Sequence, residues 1–201
     1  MQEMHIYERL PLFGTGLVLA LAIIGISSYL LARPEPCARL LKKLPRNHMA
    51  GQVLLGIGMI WFWLLVAPEG LGILSALEMD LGEFNNAKKL LRIAVPVTFI
   101  LVCISVKEFL AVRALGLLGL MIAAPLLEAA FLKDPASRIL IPIFAYALII
   151  KSMFWIGMPY TFRDAANWAI ASTSRLRACA SGGLAYGLLV LVCALLFWRG
   201  Q

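Results

Sequence analysis

The sequence predicts an all-α fold: a polytopic transmembrane helical bundle of about six spanning helices in one integral membrane domain over residues 1–201. A short amphipathic helix is expected between the fifth and sixth spans. Two observations predict this, a composition outside the soluble range and a series of apolar runs of bilayer length bounded by prolines and charges. Of 201 residues, 62% are hydrophobic and 14% charged, and the mean hydropathy is +0.88. Soluble domains average roughly 45–50% apolar and about 25% charged residues. A small soluble domain must cover its core with polar side chains; here they are too few, so hydrocarbon must cover the rest. Crossing a layer ~30 Å thick at a rise of ~1.5 Å per residue takes about 20 mostly apolar residues.

The first run, residues 13–32, follows the polar start MQEMHIYERLPLF, which carries Glu3, Glu8 and Arg9. A secretory signal would open basic, with a shorter apolar stretch and a small-residue cleavage site, so an uncleaved first span is expected. Pro34 and Pro36 are expected to stop it, since proline removes a helix donor. A basic connector with Arg33, Arg39, Lys42, Lys43 and Arg46 leads to the second span, 49–67, which ends at Pro68 and carries Trp61 and Trp63 as an interfacial aromatic belt would. Residues 69–86 form the longest polar-leaning connector, with room for a short interfacial helix. The third span, 90–106, opens on Lys88, Lys89 and Arg92. Lys107, Glu108 and Arg113 bracket a turn before the fourth span, 114–132. Lys133-Asp134-Pro135 separates it from the fifth, 139–158. Thr161-Phe162-Arg163-Asp164 has capping-box spacing, which predicts the amphipathic helix over 162–174. The sixth span covers 180–198.

Cytoplasmic connectors retain Lys and Arg. With the N-terminus outside, the cytoplasmic side holds ten of them and the outer side seven, with Lys151 inside a span. That balance favours an N-terminus outside, and the lack of a transit or retention signal leads to the expectation of a prokaryotic cytoplasmic membrane. The net charge of +7 is then a matter of topology and anionic lipid, and nucleic acid is not expected as a partner.

Lys151 lies well inside the fifth span, where a lysine is costly and usually has a partner or reaches water. Three readings follow: snorkelling to the cytoplasmic interface, an ion pair with Glu108 at similar depth, or a substrate or proton site; Glu108, Arg113 and Glu128 are the other intramembrane polar candidates. Glu128, near the outer end of the fourth span, is expected to pair with Lys133 or Arg138. Arg163 and Asp164 are interfacial candidates. Glu78, Asp80 and Glu83 lack calcium-loop spacing and read as a solvated outer loop. His5 and His48 fall outside the spans, and Cys37, Cys103, Cys179 and Cys193 form no C-x-x-C, so no metal and no cofactor are expected. Small residues let helices approach where lipid supplies no hydrophobic drive. Gly183 and Gly187 form a G-x-x-x-G, and Gly56 and Gly58 mark the second span in the same way, as Gly14 and Gly16 mark the first.

With no nucleophile, base or phosphate-binding pattern in the sequence, the expectation is a non-catalytic subunit or scaffold of a membrane complex. Its partners would be the lipid bilayer and other membrane subunits or a second copy. The alternatives are a small-solute or ion transporter component with Lys151 and Glu108 in a polar site, and a lipid-modifying enzyme at the cytoplasmic face using Arg163, Asp164 and Lys151.

Overall fold

A computed structural model describes residues 5–68, 72, 77–106 and 108–199. The described residues are helical without strands: α1 (Leu12–Ala32), α2 (Pro34–Lys43), α3 (His48–Leu65), α4 (Lys88–Ser105), α5 (Leu110–Ala130), α6 (Leu140–Gly157), α7 (Tyr160–Ile170) and α8 (Thr173–Phe197). Tight 3-10 turns occupy Leu44–Arg46, Gly82–Ala87 and Ala136–Ile139. Five helices, α1, α3, α5, α6 with its preceding turn, and α8, are long and apolar enough to cross a membrane. The helix at the third expected span, α4, has 18 residues but carries Lys88, Lys89 and Arg92 in its first five.

Local chemistry sets the boundaries. Asn47 caps α3, its Oδ1 accepting the Ala50 N–H at 3.1 Å. Pro34 and Pro36 end α1 as expected but also begin α2, because proline's fixed φ suits a first helical turn whose amides have no partner. Glu35 in the first turn of α2 and Lys42 and Lys43 in its last complement the helix dipole. Helix α7 begins at Tyr160, two residues before the expected start, and the capping box does not form. Thr161 is inside the helix and its Oγ1 donates to the Met158 carbonyl at 2.7 Å, while Asp164 accepts from Arg163. Helix α7 also ends at Ile170, and α8 starts seven residues before the expected sixth span, running through Arg175 and Arg177.

Glycines show which helices meet. A Cβ on Gly183 would lie 2.6 Å from Ser27 Oγ, one on Gly187 2.8 Å from Ile24 Cγ1, and one on Gly16 within the Trp198 ring, so α1 and α8 pack antiparallel. Gly116 abuts Ser152 and Ile156, and Gly119 abuts Ser152 and Leu148, which makes α5 and α6 a second antiparallel pair. In contrast, Gly51 meets Leu110 and Ala111 while Gly58 meets Leu117 and Leu118, so α3 and α5 run parallel. Helix α4 returns along α3 in the opposite sense, with Arg92 beside Trp63 and Phe99 beside Gly56.

The main core draws Leu12, Leu19 and Ala20 from α1, Ala123 and Leu126 from α5, Ile141 and Ala145 from α6, and Val190 and Ala194 from α8. We call the end where α1 begins proximal and the opposite end distal. At the distal end α2 and α7 form a short layer beneath the bundle, where Phe162 and Ala166 pack on Val112 with Leu41, Leu44 and Trp155 around them.

Pro96 interrupts α4 and leaves the Arg92 carbonyl without its usual donor four residues on. Trp63 supplies one from α3, its Nε1–H donating to that carbonyl at 3.3 Å, the kind of repair that makes proline tolerable within apolar helices. Trp63→Phe is therefore expected to cost about 1 kcal/mol in the wild-type chain and close to nothing in a Pro96→Ala background, where the alanine amide restores the helical donor. Unfolding titrations in mixed micelles check this, and equal costs in both backgrounds would refute it.

Candidate functional site

Helix α8 carries small residues on two opposite sides. At 100° per residue, Gly183 and Gly187 share the side packed on Ser27, Ile23 and Ile24 of α1. Ala178, Gly182 and Ala185 lie on the other side, all three exposed, and a Cβ on Gly182 would meet nothing within 4 Å. Of the other glycines singled out by sequence, Gly58 packs on α5, and a Cβ on Gly56 would touch Phe99 of α4 at 3.7 Å. Gly51, Gly116 and Gly119, which make the closest approaches to α5 and α6, are not among the residues that the sequence singles out. Their spacing is visible there, but the residues opposite them are not.

The charged candidates do not converge. Lys151 is exposed on α6 beside the exposed Ala147 and Phe154. It precedes the helix end at Gly157 by six residues, about 9 Å at ~1.5 Å per residue, within reach of a snorkelling lysine. Glu108 and Arg113 are exposed at the start of α5, and the expected Lys151–Glu108 ion pair does not form among the described residues. Nor does Glu128 pair with Lys133 or Arg138; the Arg138 guanidinium instead donates to the Lys133 carbonyl, a local bond that closes the α5–α6 connector. Arg163 and Asp164 bond each other at 3.0 Å with side chains 52% and 58% exposed, a pair that water leaves with little energy. Arg175 lies 5.3 Å over the exposed Trp168 ring. Among the described residues no three His, Cys, Asp or Glu side chains gather as metal ligands would.

No known protein family, curated protein or solved structure matches this chain.

The polar groups that do converge are proximal, and they tie connectors to helix ends. Trp61 donates to the Tyr7 hydroxyl at 2.7 Å, so Trp61 and Trp63 are both committed to contacts inside the chain. His5 Nδ1 accepts the Tyr7 N–H, which leaves Nε2–H to donate to the Leu77 carbonyl at 3.1 Å. Burial pushes the Tyr7 phenol above its ordinary value near 10, against the Trp61 bond, which lowers it. Arg92 donates to the Val66 and Ala67 carbonyls just past α3, where helix dipole and unpaired acceptors favour a cation.

The acidic connector is solvated at Asp80 and Glu83, as expected, but not at Glu78. Glu78 accepts from Lys88 Nζ at 2.9 Å, with the two side chains only 14% and 8% exposed. Asp80 accepts from the Gly82 N–H and the Asn85 amide. Of the interfacial helix expected in this connector, residues 82–87 form a 3-10 turn; residues 69–71 and 73–76 lie outside the described ones.

The ends also differ in charge. Among the described residues the distal end exposes nine Lys and Arg (Arg33, Arg39, Lys42, Lys43, Arg46, Arg113, Arg163, Arg175 and Arg177) against Glu35, Glu108 and Asp164. The described residues of the proximal end are close to balanced, with seven basic against six acidic ones.

Proposed function

We propose that this chain is a non-catalytic subunit or scaffold of a membrane protein complex, which crosses the membrane six times and holds a partner helix on the outward side of α8. The observation that carries this reading is the exposed Ala178, Gly182 and Ala185 stripe. In hydrocarbon, association depends on close packing rather than on removing apolar surface from water. Small residues are therefore most useful where another helix arrives, and α8 already spends Gly183 and Gly187 on α1.

Six crossings are supported by helix directions. Parallel neighbours α3 and α5 require the chain to return from one end of the bundle to the other between them. Helix α4 makes that return, and its 18 residues give a length of about 27 Å. Its three cations sit at the proximal end, where Lys88 and Arg92 are already bonded to Glu78 and to carbonyls. The distal excess of Lys and Arg supports placing that end in the cytoplasm and the N-terminus outside, in the cytoplasmic membrane of a prokaryote.

The test of function is co-purification in mild detergent from native membranes. The wild-type chain is expected to bring a stoichiometric membrane partner or a second copy. Gly182→Ile is expected to reduce that yield about tenfold, equivalent to ~1.4 kcal/mol, without destabilising the fold. Gly183→Ile is expected instead to loosen the fold, since its Cβ meets Ser27 Oγ. A partner-free monomer from native membranes, or full partner retention by Gly182→Ile, would overturn the reading. A reporter active only outside the cytoplasm tests the crossings: it should be silent after Lys43 and active after Asp134, and silence after Asp134 would mean that α4 does not cross.

A further inference from the structure

At the distal end, α1 and α2 enclose an apolar groove of about 500 Å³, lined chiefly by Gly25, Ile26, Tyr29, Cys37, Leu40 and Leu41. The chain reverses sharply at Arg33, whose N–H bonds the Tyr29 carbonyl at 2.9 Å while its own carbonyl accepts from Cys37. Helix α2 is thereby folded back beside the last turns of α1. The groove stays open because a Cβ on Gly25 would have no neighbour within 4 Å, and Ile26, Tyr29 and Leu40 are each more than half exposed.

The lining itself is apolar, and the cations nearest to it in the chain are Arg33, Arg39 and Lys43. Cys37, Leu40 and Leu41 recur at helical spacing along the apolar side of α2, and Arg39 and Lys43 fall on the stripe next to Pro36 and Leu40 at 100° per residue. Arg33 sits at the junction of the two helices. All three cations are exposed and none has an ion-pair partner among the described residues. An apolar slot that opens beside three free cations, at the end of a bilayer-length helix, is complementary to a molecule with a hydrocarbon chain and an anionic head.

We propose that this groove binds an anionic phospholipid, with an acyl chain between α1 and α2 and the phosphate among Arg33, Arg39 and Lys43. The acyl chain gains little by leaving one hydrocarbon environment for another, so it sets position, while the cations set selectivity. The proposal rests on the sidedness proposed above for its lipid source, since the cytoplasmic leaflet is the anionic one. The binding test is run in detergent, where sidedness plays no part, so failure of one is distinguishable from failure of the other.

The full chain, purified in neutral detergent and incubated with equal amounts of phosphatidylglycerol and phosphatidylcholine, is examined by native mass spectrometry. The expected result is one retained phosphatidylglycerol in clear preference to phosphatidylcholine. Each of Arg33→Gln, Arg39→Gln and Lys43→Gln should lower that preference about fivefold, and the triple variant on the order of a hundredfold. Gly25→Phe, at a position with open space, should abolish retention while leaving the helical signal and unfolding transition unchanged. Equal retention of both lipids, undiminished preference in the triple variant, or retention by Gly25→Phe would each overturn the proposal. So would displacement by water-soluble glycerol phosphate at the same concentration, which would show that the head group alone is held. A change of oligomeric state in Gly25→Phe would assign the groove to a protein contact and overturn it equally.

Discussion

Gly116→Leu is expected to destabilise the bundle by more than about 3 kcal/mol, and Gly116→Ala by about 2 kcal/mol. A Cβ at this position would lie 2.8 Å from the Ser152 carbonyl oxygen and 2.7 Å from Ile156 Cγ1. The first neighbour decides the magnitude. A terminal side-chain atom can rotate away, whereas the carbonyl oxygen moves only if α6 moves, and α6 is held through Ile141 and Ala145 in the core shared with α1 and α8. Gly182→Ala is the matched control, because its Cβ meets nothing and alanine is the better helix former by up to about 1 kcal/mol. The two substitutions should therefore shift an unfolding titration in mixed micelles in opposite directions. A Gly116→Leu chain unfolding within about 1 kcal/mol of wild type would mean that α5 and α6 do not touch there.

Glu78→Gln and Lys88→Met are each expected to cost about 3 kcal/mol, and the double substitution far less than the sum. Removing one member of a buried ion pair leaves the other charge without compensation, and that penalty exceeds the net worth of the pair. Lys88 opens α4 and Glu78 belongs to the preceding connector, so the bond fixes where α4 starts relative to α3. Because both side chains are largely withdrawn from solvent, the cost should change little with added salt, in contrast to the exposed Arg163–Asp164 pair. Additive losses in the double variant, or strong salt dependence, would show that the pair is solvated.

The long apolar helices are legible in the sequence because their signal is length and composition, which survive without knowledge of neighbours. Helix α2 escapes such a reading for a physical reason. Pro34 and Pro36 stand out as breakers, although the same residues favour a first turn, and Glu35, Lys42 and Lys43 supply the matching dipole pattern. The start of α8 lies earlier than expected because Arg175 and Arg177 resemble connector, whereas a helix can continue past the hydrocarbon once its interior bonds are nucleated. The capping box fails because α7 already begins at Tyr160, with Pro159 in the cap position, leaving Thr161 inside it. Contacts between distant residues are out of reach of spacing alone. Nothing in the positions of Trp63 and Arg92 shows that an indole replaces the donor lost at Pro96, and nothing near Glu78 marks Lys88 rather than water as its partner.

Helices α1 and α8 face each other although they stand at opposite ends of the order of synthesis. A ribosome adding about 5–20 residues per second completes α1 at Ala32 and reaches the start of α8 at Thr173 on the order of ten seconds later. Throughout that interval the Gly16, Ile24 and Ser27 side of the first helix has no mate from its own polypeptide. A nascent product interrupted before residue 173 would keep most of its greasy segments and still lack the surface that secures the first of them.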